Sequence, residues 1–337
     1  MNVEIDRVFN AQAEVLVPEE QKIDARLRPT CFKEFVGQEK VIENIKIMVQ
    51  SAKLRKNPLD HILLSGPPGL GKTSLAMIMA QELGVELHIV SGPSLDKKGD
   101  LAALLTNLNN GDVLFIDEIH RMPVTVEEIL YAAMEDYRLD ILIGQGASAK
   151  TMQIEINPFT LIGATTRSGL LTNPLRDRFL AHFHFDFYSA QELGRIIDAN
   201  QSKLGITIMP KAIDKMAYCS RGTPRIANRI LRRLRDYILV NAKNTATLDD
   251  ISHALKLMEV DGYGLDRMDR KILRVIRDFY QGGPIGIEAL CATLNEDRTT
   301  IEDVYEPFLL KEGLLIRTPR GREISEKAIE HLSKNDY

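Results

Sequence analysis

The chain has 337 residues, which is enough for two or three domains. Its 44% hydrophobic and 27% charged residues are typical of a soluble globular protein, and no apolar run is long enough to predict a membrane-spanning helix. The formal net charge of −4 excludes strong attraction of the whole protein to nucleic acid, so any such surface must be local.

Two further features indicate a cytoplasmic protein. The acidic N-terminal segment lacks the apolar centre of a secretion signal. The three cysteines, Cys31, Cys219 and Cys291, stand far apart and form no C-x-x-C pair, which predicts reduced thiols rather than disulfides or metal ligands.

The first half of the chain alternates between strand and helix patterns. Residues 1–20 are polar and weakly patterned and are interpreted as a mobile tail, and residues 21–188 are predicted to form a large domain. Helices are expected at Glu39–Leu54, Ser74–Leu83, Gly99–Leu108 and Val126–Glu135, and strands at His61–Ser65, Glu86–Val90, Asp112–Ile116 and Thr160–Ala164. This alternation predicts an α/β fold with a parallel sheet covered on both faces.

A phosphate-binding loop follows the first strand. Residues Gly66 to Thr73 match G-x-x-x-x-G-K-[ST] between a strand and a helix, where glycines let backbone N–H groups surround a phosphate. Lys72 is expected to reach the β- and γ-phosphates, and Thr73 to hold Mg²⁺. The alternative is a Gly/Pro turn before a core helix, but the flanking strand and helix favour a nucleotide site.

Two carboxylates, Asp117 and Glu118, end the apolar strand that contains Phe115. The carboxyl end of a parallel strand lies where ligands of open α/β sheets bind. Asp117 is therefore predicted to hold Mg²⁺, mainly through water, and Glu118 to orient or deprotonate the attacking water. A solvated acidic turn is the alternative.

Weaker signals follow along the chain. Thr165 and Thr166 end a strand, and either could contact the γ-phosphate or position water; Thr166 is our choice. Arg176 and Arg178 flank one acid, and an arginine finger there competes with a surface salt-bridge cluster. Arg225 follows Thr223-Pro224 at a predicted helix start, where cations are disfavoured, so a phosphate partner is expected.

A β-hairpin is predicted from Arg138 to Ile156, because two alternating arms are joined by Gly-rich residues. Leu139, Ile141 and Ile143 share one side of it. Most such stripes belong to a core, but on an inserted hairpin they are expected to dock a partner.

The rest of the chain, from residue 189, is predicted to form two smaller domains. Residues 189–260 form a small helical domain with capping boxes starting at Ser189 and Thr247, and residues 261–337 follow a linker at Asp261–Gly264. Helices at Met268–Tyr280, Ile287–Leu294 and Thr299–Glu312, the last opening with a capping box, precede a strand–turn–strand segment. This is a winged-helix pattern.

Arginines crowd this winged-helix segment. Arg317, Arg320 and Arg322 lie on the wing, and Arg298 precedes the third helix. Such arginines can contact backbone phosphates or enter a groove, whereas an exposed basic turn is the alternative.

Together these features resemble the RuvB family, the Holliday-junction branch-migration ATPases of the AAA+ class. The resemblance covers nearly the whole chain beyond the first twenty or so residues. It is carried by Leu27–Pro29, Gly66–Thr73, Asp117–Arg121, Glu135–Arg138, Gly163–Arg167, Thr223–Arg225 and Arg317–Arg322. The phosphate loop and Asp117-Glu118 are shared by all AAA+ proteins, and the hairpin and the R-T-P-R-G-R wing are more specific. Leu180 departs from the family, which usually has glycine there.

The resemblance implies an α/β AAA+ P-loop ATPase domain with an inserted β-hairpin, a small α-helical lid and a C-terminal winged-helix head. It also implies roles for residues. ATP would be held by Leu27, Arg28, Gly69, Gly71, Lys72, Thr73, Ser74, Glu135, Asp136, Tyr137, Arg178, Tyr188 and Arg225, with Arg178 supplied to a neighbouring subunit as the finger. DNA would contact Arg298, Arg317 and Arg322, and the hairpin would bind the junction-recognising protein RuvA.

The implied function is ATP-driven branch migration of four-way junctions in DNA recombination and repair. The implied assembly is a homohexameric ring around duplex DNA, with RuvA as partner, the resolvase RuvC as a further member and no membrane. A protein-directed AAA+ machine is the second hypothesis, although residues Ser91 to Asp100 contain no aromatic pore residue. A transcription regulator is the third, and it leaves the ATPase site unexplained.

Overall fold

The computed structural model describes residues 25–143 and 150–334, so the N-terminal tail predicted for residues 1–20 lies outside the described residues. The strands are β1 (Ile62–Ser65), β2 (Leu87–Ser91), β3 (Val113–Asp117), β4 (Arg138–Ile143), β5 (Lys150–Glu155), β6 (Thr160–Thr165), β7 (Ala181–His184), β8 (Thr207–Ile208), β9 (Thr245–Ala246), β10 (Leu315–Thr318) and β11 (Gly321–Ile324).

The helices are α1 (Glu39–Arg55), α2 (Lys72–Leu83), α3 (Lys98–Thr106), α4 (Val124–Asp136), α5 (Asn173–Asp177), α6 (Ala190–Lys203), α7 (Pro210–Cys219), α8 (Pro224–Val240), α9 (Leu248–Leu257), α10 (Arg267–Tyr280), α11 (Ile287–Leu294), α12 (Arg298–Thr300), α13 (Glu306–Lys311) and α14 (Glu326–Lys334). A π-helical turn, Ile301–Tyr305, separates α12 from α13. None of the described helices is long and apolar enough to cross a membrane.

The centre of the large domain is a parallel sheet in the order β2-β3-β6-β1-β7. Alternate residues of its strands enter two separate apolar clusters, with Phe115 and Ile162 in one and Leu114 and Leu161 in the other. The sheet is therefore covered on both faces, as predicted. The sequence did not predict β7, because its four residues are half-exposed and include two histidines.

The small helical domain begins with α6 as predicted. Ser189 and Thr247 both accept hydrogen bonds from the backbone N–H three residues later, which confirms the two capping boxes. Thr223 lies at the predicted N-cap with Pro224 first in α8, but it makes no side-chain cap bond. Its hydroxyl instead donates to the Arg221 carbonyl at 3.2 Å, which ties the turn to the residues before it.

The winged-helix pattern is present, with α10, α11 and the interrupted third helix followed by the antiparallel pair β10–β11. The capping box predicted at Thr299 was wrong, because the helix begins at Arg298 and its N-cap makes no side-chain bond. Glu302, the expected capping carboxylate, is engaged by arginines instead. The final helix α14 was not predicted.

The head packs on the lid through a buried ion pair. Arg221 in the turn before α8 contacts Asp269 at 2.8 Å and Asp266 at 3.1 Å, and its guanidinium lies 4.6 Å from the Phe308 ring centre. The predicted linker is an ordered turn, since the Asp261 carboxylate accepts two backbone N–H groups and pairs with His331. The structure therefore holds lid and head together.

The three cysteines are free thiols, as predicted.

Candidate functional site

The phosphate-binding loop depends on glycine at three positions. Gly66, Gly69 and Gly71 have φ angles of 131°, 80° and 103°, which side chains rarely adopt. A Cβ on Gly66 would lie 2.5 Å from the Phe185 carbonyl oxygen, and one on Gly69 would lie 2.9 Å from Cβ of Arg225. The loop thus forms a backbone cradle directly before the N-terminus of α2, where anions are stabilised.

Lys72 is buried at the base of this cradle. Its ammonium donates to the carbonyl oxygens of Gly66 at 2.7 Å and Pro67 at 2.9 Å. Burial lowers the pKa of Lys72 to about 8, although the nearby carboxylates of Glu118 and Asp117 oppose this shift. A buried ammonium held at a phosphate-binding loop suits a polyphosphate ligand, which would replace the two carbonyl contacts.

A cavity of about 800 Å³ opens above the loop, between the large domain and the lid. Among the predicted site residues, it is lined by Leu27, Arg28, Gly69, Gly71, Lys72, Thr73, Ser74, Asp117, Glu118, Tyr188 and Arg225. Tyr188 is buried, which raises the pKa of its hydroxyl, and it donates to the Leu70 carbonyl at 3.1 Å. This volume accommodates a nucleotide, and most of the predicted nucleotide-contacting residues meet around it.

Sequence reasoning predicted Arg225 from the lid but missed further lid residues in the cavity wall. Asn200 and Asn228 line it, and the Asn200 side chain donates to the backbone carbonyl of Leu27 and to the side-chain amide oxygen of Asn228. Asn200 has no motif around it, and Asn228 follows the Thr223–Arg225 motif without being part of it, so only the tertiary structure could place them.

The carboxylate of Glu118, which is the predicted base, is held by hydroxyl and imidazole groups. Glu118 has a left-handed φ of 49°, and its Oε2 lies 3.1 Å from the Thr166 hydroxyl and 3.2 Å from Nδ1 of His120. The Thr165 hydroxyl lies 2.9 Å from the same Nδ1. Thr166 therefore contacts Glu118 directly, which favours it over Thr165 as the sensor, and His120 is a neighbour that sequence reasoning missed.

Arg225 closes the cavity from the lid side. Its backbone N–H approaches the Gly69 carbonyl at 3.4 Å, and its side chain is exposed. In the part of the chain that the structure describes, no carboxylate pairs with it. An unneutralised cation beside the cradle fits the expected phosphate partner.

Arg178 lies away from its own cavity. Its guanidinium pairs with Glu135 at 3.2 Å, donates to the Pro174 carbonyl at 2.8 Å and lies 4.5 Å from the Tyr131 ring centre. Its buried Nε has no hydrogen-bond partner among the described residues. Glu135, Asp136 and Tyr137 do not line the cavity either. None of these four residues lines the cavity of this chain, so their predicted contact with a nucleotide stays a prediction.

The three predicted DNA contacts differ in exposure. Arg298 and Arg317 have side chains 57% and 52% exposed, whereas Arg322 is buried and bonded to Glu306 at 2.6 Å. The DNA contact expected at Arg322 therefore stays a prediction, since the side chain is enclosed in this conformation. The adjacent carboxylates of Glu302 and Glu306 hold Arg322 inside the wing, and it supports the surface that Arg317 presents.

The hairpin is formed as predicted, with Leu139 opposite Ile154 and Ile141 opposite Met152. Leu139 is 1% exposed and packs in the apolar cluster of the large domain. Its expected docking role is corrected, because no partner can reach it in this conformation. The side chains of Ile141 and Ile143 lie outside the described residues.

Leu180 creates no backbone strain where glycine is usual. It is absent from the positive-φ residues of the described chain, and its side chain is 79% exposed. The turn beside Arg178 therefore accepts a side chain.

Comparison with known proteins accounts for nearly the whole chain. Three family models match: the Holliday junction DNA helicase RuvB P-loop domain at residues 27–185, the RuvB AAA lid domain at 188–261 and the RuvB C-terminal winged helix domain at 262–333. Curated relatives are the Holliday junction branch migration complex subunit RuvB of Myxococcus xanthus, 54% identical over 97% of this chain and 96% of the relative, and that of Flavobacterium psychrophilum, 53% identical over 94% and 93%.

Solved structures agree. The Thermotoga maritima RuvB Holliday junction branch migration motor matches with a TM-score of 0.85 and 48% identity, covering 91% of this chain and 98% of that one. A substituted variant of the same motor matches with a TM-score of 0.86 at the same identity and coverage. The nucleotide cavity, lid and winged head are thus those of an AAA+ ATPase, and the chain belongs to the RuvB family.

Proposed function

We propose that this protein is an ATP-driven motor that moves duplex DNA through Holliday junctions, acting with RuvA in homologous recombination and DNA repair. The observation that carries the proposal is the cavity between the phosphate loop and the lid, lined by Lys72, Glu118 and Arg225. The chain also has a winged head whose wing carries Arg317, Arg320 and Arg322. Relatives more than 50% identical over nearly their whole length are branch migration subunits.

ATP fits the cradle because the glycines of the loop leave its backbone open to phosphate and Lys72 supplies a buried cation. Thr73 and Asp117 both line the cavity and offer oxygen atoms, which Mg²⁺ prefers. When bound, Mg²⁺ would neutralise charge on the β- and γ-phosphate oxygens. Leu27, Arg28 and Tyr188 are proposed to enclose the adenine end.

Hydrolysis is assigned to residues at the ends of β3 and β6. Glu118 would orient or deprotonate the attacking water, and Thr166, hydrogen-bonded to Glu118, would report the state of the γ-phosphate. Arg225 would bind phosphate from the lid side. Nucleotide states that favour different lid positions would move the head, because the buried Arg221–Asp269 pair joins the head to the lid.

The site is proposed to be completed by a second subunit of a homohexameric ring. Arg178 lies outside its own cavity, carries an unsatisfied Nε and is oriented by Glu135 and Tyr131. It would enter the neighbour's site and stabilise charge that develops on the transferred phosphoryl group. Glu135, Asp136 and Tyr137 are proposed to border that same shared site.

DNA would be held by the head through Arg298 and Arg317, with the exposed Arg320 beside them and Arg322 as a buried support. RuvA would dock on the outer part of the hairpin, and RuvC would join the same complex. The protein is proposed to work in the cytoplasm.

The experiment that tests this function is ATP-dependent dissociation of a synthetic four-way junction, with and without RuvA. We expect dissociation with ATP and RuvA together, and ATP turnover that rises when junction DNA is added. A rate of ATP turnover that stays the same with and without DNA and RuvA would contradict the proposal and favour a protein-directed AAA+ machine.

A further inference from the structure

Arg167 joins the head to the ATPase domain. It follows Thr166 at the end of β6, and its Nε lies 2.5 Å from the Asp303 carboxylate in the π-helical turn of the head. One of its terminal nitrogens lies 3.4 Å from Glu302 in the same turn. The side chain of Arg167 is about three quarters buried, so this contact is partly shielded from solvent.

On its other side, Arg167 is linked to the catalytic carboxylate. Its backbone N–H donates to the Thr165 hydroxyl at 2.9 Å, and this hydroxyl lies 2.9 Å from Nδ1 of His120. The same nitrogen lies 3.2 Å from the Glu118 carboxylate. Burial lowers the pKa of His120. The carboxylates of Glu118 and Asp303 oppose this shift, whereas the charge of Arg167 adds to it. The head and Arg167 therefore both act electrostatically on this imidazole.

Glu302 also belongs to the proposed DNA surface. Its carboxylate is shared by Arg167, by Arg298 at 3.2 Å, by Arg322 at 3.0 Å and by Arg317 at 3.7 Å. Arg298 and Arg317 are more than half exposed, so DNA phosphates can compete for them. Glu302 would then have fewer arginine partners and would pair more closely with Arg167.

We propose that Asp303 and Glu302, Arg167, Thr165 and His120 form a relay through which DNA bound to the head positions the Glu118 carboxylate for ATP hydrolysis. His120 and Arg167 are positioning residues in this scheme, since they act through Glu118 and contact no substrate. This relay rests on the proposed function, because it requires the head to bind DNA. It makes the Asp303–Arg167 contact the place where DNA binding and hydrolysis are coupled.

The test is the ratio of ATP turnover with duplex DNA to turnover without it, measured for Asp303→Asn. Asp303 pairs with Arg167 and with none of the proposed DNA arginines. We expect the ratio to fall by about 3- to 10-fold through kcat, the range that coupling of two sites by one contact produces. The KM for ATP and the affinity for duplex DNA, measured by fluorescence anisotropy, should stay at their wild-type values.

Two further variants separate coupling from a general loss of structure. Asp303→Glu keeps the charge and should restore most of the ratio. Arg167→Gln should lower the ratio at least as much, because it removes the contacts of Arg167 with both Asp303 and Glu302. Adding Asp303→Asn to Arg167→Gln should cause no further loss, because the partner of Asp303 is already gone. Glu288→Gln is the matched control, since Glu288 pairs with Arg298 and does not contact Arg167, and it should keep the wild-type ratio.

The outcomes distinguish the relay from the function on which it rests. If the wild-type protein neither binds duplex DNA nor hydrolyses ATP faster with it, both proposals fail. If the wild-type protein is stimulated and Asp303→Asn keeps the same ratio, the relay alone is overturned. Additive losses in the double variant would also overturn it, because they would mean that the two residues act separately.

Discussion

At the scale of single residues, Lys72 links the fold to the chemistry. The glycines around it open the loop, and α2 begins at Lys72 itself, so the side chain turns back into the cradle. Its hydrogen bonds end on loop carbonyls rather than on core side chains. The ammonium therefore contributes mainly to ligand binding, and its removal should leave the fold intact.

Lys72→Ala is expected to lower ATP turnover by at least about 10²–10³-fold, the effect of removing one group that stabilises developing charge. Phosphate release measures turnover, and circular dichroism checks the fold. Lys53→Ala is the control, because Lys53 forms only an exposed pair with Glu82. Unchanged hydrolysis in a folded Lys72→Ala protein would refute the assignment of the phosphate loop.

At the scale of elements, the wing presents two opposed arginines with different environments. Arg317 and Arg322 face each other across β10 and β11, but only Arg322 is buried. Both contact Glu306, which is 1% exposed, so the wing is built around a buried carboxylate. The basic residues of the wing are therefore of two kinds: Arg322 is buried against a carboxylate, and Arg317 is exposed to solvent.

Arg322→Ala is expected to destabilise the head by about 3–5 kcal/mol, because it removes the buried arginine partner of the buried Glu306 carboxylate. The urea midpoint of head unfolding measures this loss. Arg317→Ala should instead weaken DNA binding and reduce the slope of log K against log salt by about 0.9, the value for one phosphate contact. A loss of stability in Arg317→Ala together with a loss of DNA binding in Arg322→Ala would contradict these two roles. Arg320→Ala is the comparison variant, because Arg320 is an exposed wing arginine outside this pair.

Elements with strong local signals were predictable. The β1–loop–α2 unit, the strand ending at Asp117, the hairpin and the capping boxes at Ser189 and Thr247 all appear as predicted. The start of the third head helix was wrong, because Glu302 meets arginines that are distant in sequence. A capping pattern reports local hydrogen bonds and cannot detect a stronger partner brought by the fold.

At the scale of the whole molecule, the nucleotide site is a junction between domains. The lid supplies Arg225 and Asn200, the large domain supplies the loop and Glu118, and the head is tied to both through Arg221 and Arg167. The position of Arg178 favours assembly of several subunits, since Arg178 lies outside its own cavity and its buried Nε has no hydrogen-bond partner among the described residues. A complete site would therefore span two subunits.

Mixing Arg178→Ala subunits with Lys72→Ala subunits tests this assembly. Each variant alone should be inactive, but mixed rings should regain part of the ATP turnover at interfaces that pair an intact loop with an intact finger. Phosphate release is followed as the ratio of the two variants is changed. A mixture that stays as inactive as its parts would argue against a finger supplied by a neighbour.

The sequence by itself determined the phosphate loop, the two carboxylates at the end of the third strand, the order of the three domains and the family. These depend on short motifs whose residues are neighbours in the chain, so local spacing is sufficient to identify them. Only the tertiary structure decided that Leu139 and Arg322 are buried, that Asn200 lines the cavity, and that Arg167 connects head and ATPase domain. Burial and charge pairing depend on residues far apart in the chain, and folding alone brings those residues together.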